Sequence, residues 1–412
     1  MRVALFTDSF YPELGGIQDS ILISARELGA RGHAVAIFAP AATPRDFARG
    51  NLAVAEPALG PTVEIHRLFA LPMPGSTGQS RLVLPTGRRW PAVARFRPDV
   101  IHSHTFLGTG LEALAVARRL RTPLVGTNHW AIGGFSLYAP MARDAVARGC
   151  WRTLARYYNH FDWVSAPSQA TLADMRAHGF RRPGAVISNP IDTARFRPPA
   201  PGERQALKAR LGLGAATVLY AGRLAREKRI DVLLRALPAL LRAVPGAELV
   251  LAGHGTQRPA LQALAQTLGI AGSVRFIGTL DHDRLAELCR AADVFALAST
   301  SESQSMVLLQ AMSAGLPAVG ARHGPLVEYI PPEVGLLADP DRPEAFAAAL
   351  ATLLRAPEAE GGGLRAAMGA HATRAASRFG VGSVADAWQD VYARAARGEA
   401  ARATPNWSLS CA

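Results

Sequence analysis

Residues 189–202 read NPIDTARFRPPAPG, and this proline- and glycine-dense break constrains the fold more than any other feature of the chain. Periodicity stops inside it, as in a linker. On either side, apolar strand-like runs alternate with helical stripes. Before it come RVALFT (2–7), HAVAIFA (33–39), DVIHSH (99–104), PLVGTNH (123–129) and DWVSAPS (162–168). Between the first two, apolar residues at 17, 21, 22, 25 and 28 form a helical stripe stopped by Gly32, and a second helix is predicted over 107–120. After the break the alternation restarts with TVLYAG (217–222), AELVLAG (247–253), SVRFIG (273–278), DVFALA (293–298) and PAVGA (317–321). Apolar strands separated by helices imply parallel sheets covered on both faces. The expected architecture is α/β, with two doubly wound Rossmann-like domains in tandem facing an interdomain cleft. Expected boundaries are 1–196, 197–380, a helix over 381–398 returning to the first domain, and a frayed tail over 399–412.

The 412 residues exceed one ordinary core, so two domains of about 200 residues agree with length alone. Cys150, Cys289 and Cys411 show neither metal-ligand spacing nor a disulfide framework, which suits a reducing cytoplasm. The opening MRVALFTDSF has too short an apolar run for a signal peptide. No apolar stretch reaches the roughly 20 residues that span a bilayer. A net charge of +13 attracts nucleic acid, anionic headgroups or anionic substrates. Lysine occurs only at 208 and 228, however, and so strong a skew to arginine also reads as genome composition.

Ligands of doubly wound sheets bind beyond the carboxyl ends of the strands, so polar groups just after strands are the candidates. The first strand leads to Asp8 and then to Gly15 and Gly16 before a helix, where bare backbone admits a ligand and helix N–H groups favour an anion. No G-x-G-x-x-G dinucleotide fingerprint is present. His102, His104 and His129 end adjacent strands without a cysteine or carboxylate to complete a metal site, and no metal is expected. YAGRLAREKRID places Gly222, Arg223 and Lys228 at a strand end and helix start, where two cations can converge on one diphosphate. In SESQSMVLLQAMSAGLP, Ser303 or Ser305 caps a helix starting near Met306. Gly315 and Pro317 end that helix. The N–H groups of Ser305, Met306 and Val307 then suit a phosphate. Glu302 can accept from hydroxyls, and Gln310 two turns on lies along the same side. Each group also has a plain structural reading: dipole complement, packing residue or solvated helix start.

ESQSMVLLQAMSAGLPAVG, with GRLAREKRID, LVLAGHG, VRFIGTLDHDRLAELCRAADVFALAST, YPELGGIQ, DVIHSHT and GTNHW, resembles the retaining glycosyltransferases of family 4, which have the GT-B fold. The resemblance reaches about residue 396. It implies a diphosphate site at Arg223 and Lys228, sugar hydroxyls at Glu302, a histidine near the sugar at His129 and ribose at Gln310. It further implies donor contacts at Gly15, Gly16 and Gly222, and a base framed by Gly278 to Leu280. The family pattern is broken twice: Gln310 stands where a second Glu is usual, and Ser305 where Gly is usual. A neutral amide bonds a hydroxyl about half as strongly as a carboxylate.

The expected reaction is metal-independent, retaining transfer of a hexose from a UDP-glucose-like or GDP-mannose-like donor. The nucleotide sugar is co-substrate and there is no other cofactor. The SESQSM form is nearest to diacylglycerol glucosyltransferase-like members, which implies a membrane lipid or lipid-linked acceptor. A polysaccharide or small-molecule acceptor, or non-catalytic nucleotide-sugar binding, is the alternative. The expected location is cytoplasmic and peripheral on the inner face of the cell membrane, with an anionic membrane surface open as a partner and no nucleic acid. Arg-rich segments 86–98 and 146–158 are candidates for that surface, the second as an interfacial helix or as core aromatics under a solvated Arg face.

Overall fold

The computed structural model describes residues 1–13, 15–50, 52–73, 80–131, 143–355 and 363–399. The segment 400–412, most of the expected frayed tail, lies outside these. The chain forms two compact units, one of Met1–Pro190 joined by the segment from Val381, the other of Ile191–Gly380. The division falls at 190/191 because the start of the proline-rich break is packed. Ile191 is buried, bridges Gly380 and donates to the Phe379 carbonyl, and Phe196 is buried as well.

In the first unit the strands are β1 (Arg2–Phe6), β2 (Ala34–Pro40), β3 (Val63–Leu68), β4 (Ala70–Pro72), β5 (Arg81–Val83), β6 (Val100–Ser103), β7 (Leu124–Thr127), β8 (Trp163–Ala166) and β9 (Gly184–Val186). Seven of them form a parallel sheet in the order β3-β2-β1-β6-β7-β8-β9, while β4 and β5 pair as an antiparallel ribbon. The helices are α1 (Gly16–Ala30), α2 (Pro44–Arg49), α3 (Trp90–Phe96), α4 (Gly108–Leu120), α5 (Arg143–Tyr158) and α6 (Gln169–Ala177).

The second unit holds β10 (Ala216–Ala221), β11 (Ala247–Ala252), β12 (Val274–Gly278), β13 (Val294–Leu297), β14 (Ala318–Ala321) and β15 (Gly335–Ala338), all parallel, in the order β12-β11-β10-β13-β14-β15. Its helices are α7 (Glu203–Leu211), α8 (Ile230–Ala243), α9 (Arg258–Thr267), α10 (His282–Ala291), α11 (Met306–Ser313), α12 (Leu326–Tyr329), α13 (Pro343–Arg355) and α14 (Leu364–Ser377).

The central strands show why this topology forms. Every residue of β10 and β13 is buried, as a strand covered on both faces requires. In each sheet the strand order reverses once, between β1 and β6 and between β10 and β13. Ligands of open α/β sheets bind at such switch points.

The last helix, α15 (Val381–Ala396), belongs to the first unit. Trp388 lies 4.3 Å from the His102 ring, and Tyr392 Oη is 2.7 Å from His102 Nδ1. Arg31 on the other side donates to Asp386, Gln389 and the Gly382 carbonyl.

Helix α5 settles the reading of residues 146–158. Trp151, Leu154, Tyr157 and Tyr158 are buried, and Arg148, Arg152 and Arg156 face solvent. The aromatic residues belong to the core, so of the two readings of this segment the core-aromatic one holds and the interfacial-helix expectation is corrected.

Candidate active site

The site is built on the loops that follow β10 and β13, the strands flanking the switch point of the second unit. After β10 the chain turns at Gly222, whose φ of 142° suits only glycine. Arg223 follows, then a 3₁₀ turn over Arg226–Lys228. Arg229 is not yet helical: it sits in the left-handed region at φ 48°, between the turn and α8. A bulky residue there is strained, and such strain persists only where the surroundings fix it. Arg229 is held by a 2.6 Å ion pair to Asp341.

This geometry aims Lys228 at the loop after β13. Its Nζ lies 2.6 Å from Glu302 Oε1, with the two side chains only 14% and 7% exposed. The cation read as a diphosphate ligand and the acid read as a hydroxyl acceptor are thus one buried ion pair. Arg223, by contrast, is 43% exposed on its side chain and faces Glu227 Oε1 at 3.1 Å. The Ser299 hydroxyl donates to the Glu227 carbonyl at 3.3 Å, joining the two loops.

Tyr220 supports the same place from below. Its hydroxyl donates to the Arg223 carbonyl at 2.7 Å. Burial pushes its pKa well above the usual phenol range, and the Glu302 and Glu227 charges push the same way against the Arg223 charge. Tyr220 therefore stays a neutral donor.

Helix α11 begins as the capping chemistry predicts. Ser305 is its N-cap and accepts from Leu308 N–H at 3.3 Å, which leaves the N–H groups of Met306 and Val307 to open the helix. The neighbouring Gln304 amide donates to Tyr329 Oη at 2.9 Å. Gln310 is 3% exposed, and among the described residues its side chain makes no hydrogen bond.

Glycines shape the adjoining strand ends. Gly253 and Gly278, after β11 and at the end of β12, have φ of 138° and 78°, and Gly253 N–H donates to the Gly278 carbonyl at 2.7 Å. A Cβ on Gly253 would meet the Gly222 carbonyl oxygen at 1.9 Å, and one on Gly255 the Leu224 oxygen at 2.3 Å. Leu280, two residues beyond β12, is half-buried.

Gly15, Gly16 and His129 lie in the first unit. Gly15 caps α1 and Gly16 is its first residue. His129 follows β7, 3.0 Å from His104 Nδ1 through its Nε2. His102, in turn, contacts Tyr392 Oη and Thr127 Oγ1. Burial lowers the pKa of His129 to about 3. Burial also takes His102 and His104 well below their usual range, helped by their neighbouring histidines. All three are neutral near pH 7, so His129 offers hydrogen bonds and no charge. Asp8 is occupied at the α4 start, accepting from Thr109 N–H at 2.8 Å and the Thr105 hydroxyl at 3.0 Å. Among the described residues no group of three or more His, Cys, Asp or Glu is placed to hold a metal ion. No helix among them is long and apolar enough to cross a membrane.

Sequence reasoning missed Tyr220, Ser299 and the left-handed Arg229. Tyr220 was hidden in an apolar strand run. The Arg223–Glu227 spacing of four was visible but pointed no further than a helix start.

Known proteins resemble the chain over most of its length. Residues 203–374 match the family described as glycosyl transferases group 1, and residues 14–195 match glycosyltransferase family 4. The alpha-monoglucosyldiacylglycerol synthase of Streptococcus pneumoniae is 30% identical over 79% of this chain and 71% of its own. The D-inositol 3-phosphate glycosyltransferase of Streptomyces griseus is 33% identical over 93% of this chain and 85% of its own. Among solved structures, Anabaena HepE in complex with UDP-glucose superposes with a TM-score of 0.73 at 21% identity, over 95% of this chain and 99% of that one.

Proposed function

The chain belongs to glycosyltransferase family 4, and from that membership we propose that it transfers a hexose from a nucleotide-diphosphate sugar to a membrane lipid or lipid-linked acceptor, with retention and without a divalent metal. The observation that carries the proposal is the Lys228–Glu302 pair beside the opening N–H groups of α11. A cation and a row of backbone donors suit a diphosphate, and a carboxylate beside them suits sugar hydroxyls.

The difficult step is departure of the diphosphate. The bond from the anomeric carbon to the phosphate oxygen breaks, and negative charge grows on that oxygen. Lys228, the N–H groups of Met306 and Val307, and Arg223 stabilise it. Glu302 accepts hydroxyls of the sugar and holds Lys228 in place before the donor arrives. The acceptor oxygen bonds the same face of the anomeric carbon, and its proton leaves on the departing phosphate. Gln310 bonds a ribose hydroxyl, the backbone from Gly278 to Leu280 frames the base, and Gly222, Gly15 and Gly16 admit the donor closely. His129 donates or accepts near the sugar as a neutral imidazole. Removing one such preorganised donor typically costs about 3–4 kcal/mol of transition-state stabilisation.

The lipid acceptor is supported by the name of the pneumococcal relative, and a UDP-sugar donor by the HepE complex. It implies a protein working peripherally on the cytoplasmic membrane face. A second reading, a small phosphorylated polyol as acceptor, is favoured by the inositol-phosphate enzyme, which is similar over more of the chain.

The test is a thermal-shift screen of nucleotide sugars, followed by transfer to diacylglycerol and to inositol phosphate in EDTA, with the product anomer read by NMR. A retained anomer on the lipid supports the proposal. An inverted anomer, or no transfer without metal, rejects its mechanism. Release of sugar from no donor at all identifies a binding protein.

A further inference from the structure

Among the described residues, the non-glycine residues with positive φ are Arg97, Arg121 and Arg229. Arg97 and Arg121 stand just past the ends of α3 and α4, where a left-handed residue is an ordinary helix stop. Arg229 differs. It closes the 3₁₀ turn of Arg226–Lys228 and at the same time opens α8, with φ 48° and ψ 42°. A helix start normally takes an extended residue, and a left-handed residue with a Cβ is disfavoured. Glycine would hold this conformation without that cost. The side chain of Arg229 thus sits here against the local backbone preference.

Its partner shows what that side chain does. Arg229 Nη1 donates to Asp341 Oδ1 at 2.6 Å. Asp341 stands between β15 and α13 in a turn fixed by two bonds. Its own N–H donates to Asp339 Oδ1 at 2.9 Å, and the Arg342 N–H donates to the Asp339 carbonyl at 3.1 Å. Helices α8 and α13 pack side by side, so the pair joins their starts. The pair adds little stability, because Asp341 is 79% exposed. Its effect is on position. Glu227 and Ile230 are buried on either side of the bend. Lys228 and Arg229 between them are half-buried and reach different loops: Lys228 the one after β13, at Glu302, and Arg229 the one after β15. The left-handed backbone at 229 sets the direction in which the chain leaves Lys228.

We propose that Arg229 is a positioning residue for the sugar-transfer reaction: through Asp341 it fixes the bend after Lys228, and so holds the Lys228 ammonium at Glu302 before the donor binds. A lysine side chain loses much rotamer freedom when it is held in one place. Holding it beforehand removes that cost from the reaction step. The proposal rests on the diphosphate reading of Lys228 for its purpose, but its geometric basis is the bend and the Asp341 pair alone.

The experiment is NMR of the full chain with isotope-labelled lysine, beside steady-state kinetics with UDP-glucose and GDP-mannose. Lysine occurs only at 208 and 228, so each gives its own side-chain signal, and Lys208→Arg assigns them. Lys208, paired with Asp293, reports whether the second unit is intact. In wild type without ligand both signals are those of rigid side chains. In Arg229→Gly and in Asp341→Ala the Lys228 signal becomes mobile while the Lys208 signal stays as it is. In both variants kcat falls about tenfold to hundredfold with the donor KM within about twofold. Arg229→Gly melts close to wild type, because relief of the left-handed backbone offsets the lost pair and the added chain freedom of glycine. The bond to Asp341 is made through one nitrogen, so Arg229→Lys preserves it and keeps kcat within about threefold of wild type. A rigid Lys228 in Arg229→Gly, or wild-type kcat there, overturns the proposal. So does a wild-type-like Asp341→Ala beside a slow Arg229→Gly, which would place Arg229 on the donor itself. Mobile Lys228 in both variants of a chain that turns over no nucleotide sugar upholds the positioning and rejects the function. Rigid Lys228 in the variants of an active chain does the reverse.

Discussion

Replacing Lys228 by Met should destabilise the second unit far more than an ordinary charge substitution. At 2.6 Å and an effective dielectric of about 20, the attraction to Glu302 is about 6 kcal/mol in gross terms. Desolvation of two largely buried ions cancels most of this. The single substitution therefore removes little net stabilisation by deleting a contact; its cost comes from leaving the Glu302 carboxylate, 7% exposed, without a countercharge. Breaking a buried pair in this way costs about 3–5 kcal/mol. Lys228→Met with Glu302→Gln leaves no charge behind and should return to within about 1 kcal/mol of wild type. Adding Glu302→Gln to Lys228→Met therefore recovers about 2–4 kcal/mol, and with the Glu302→Gln single the cycle gives the coupling energy. Tryptophan fluorescence cannot measure it, because the described tryptophans, Trp90, Trp130, Trp151, Trp163 and Trp388, all lie in the first unit. Hydrogen exchange of the buried β10 and β13 amides reports the second unit directly. A coupling below about 0.5 kcal/mol, the range of an exposed pair, would refute the reasoning.

Three further outcomes are expected. Gln310→Glu should lower the donor KM about fivefold, because a charged acceptor strengthens the hydroxyl bond, while the ligand-free protein loses about 1–3 kcal/mol to the buried carboxylate; donor titration and melting read both. Gly253→Ala should cost about 3 kcal/mol or more, since φ is 138° and the new Cβ meets a carbonyl oxygen; circular-dichroism melting checks it. Acid should destabilise the first unit: a histidine whose folded pKa is lowered contributes stability that is complete above about 6.5 and is lost as pH falls from there toward about 3. The loss approaches about 1.4 kcal/mol per pH unit for each histidine. Fluorescence melts at pH 7 and pH 5 should differ accordingly, and a flat melting temperature would contradict the burial argument.

The sequence was legible where burial is symmetrical. Strands β10 and β13 are continuous apolar runs because helices cover both faces, and the ends of such runs located the site loops. The Ser305 cap was legible too, because capping depends on residues within one turn. Strand β3, VEIHRL, mixes charge with apolar residues because it is an edge strand, and no run marks it. Strand β9 is only three residues long, too short to show a period, and Pro72 disguises β4. The Lys228–Glu302 contact spans 74 positions and has no local signal. The Arg and aromatic residues of α5 could be read either way until packing turned Trp151, Tyr157 and Tyr158 inward. The ribbon was missed because its alternation covers only two three-residue strands.

The most direct measurement is release of nucleotide diphosphate from UDP-glucose and GDP-mannose by wild type and by Lys228→Ala, in EDTA, with a lipid acceptor present. If the diphosphate departs against Lys228 and the α11 start, wild type releases it and the variant is slower by about 10²–10³-fold. Equal rates in the two proteins would contradict the account.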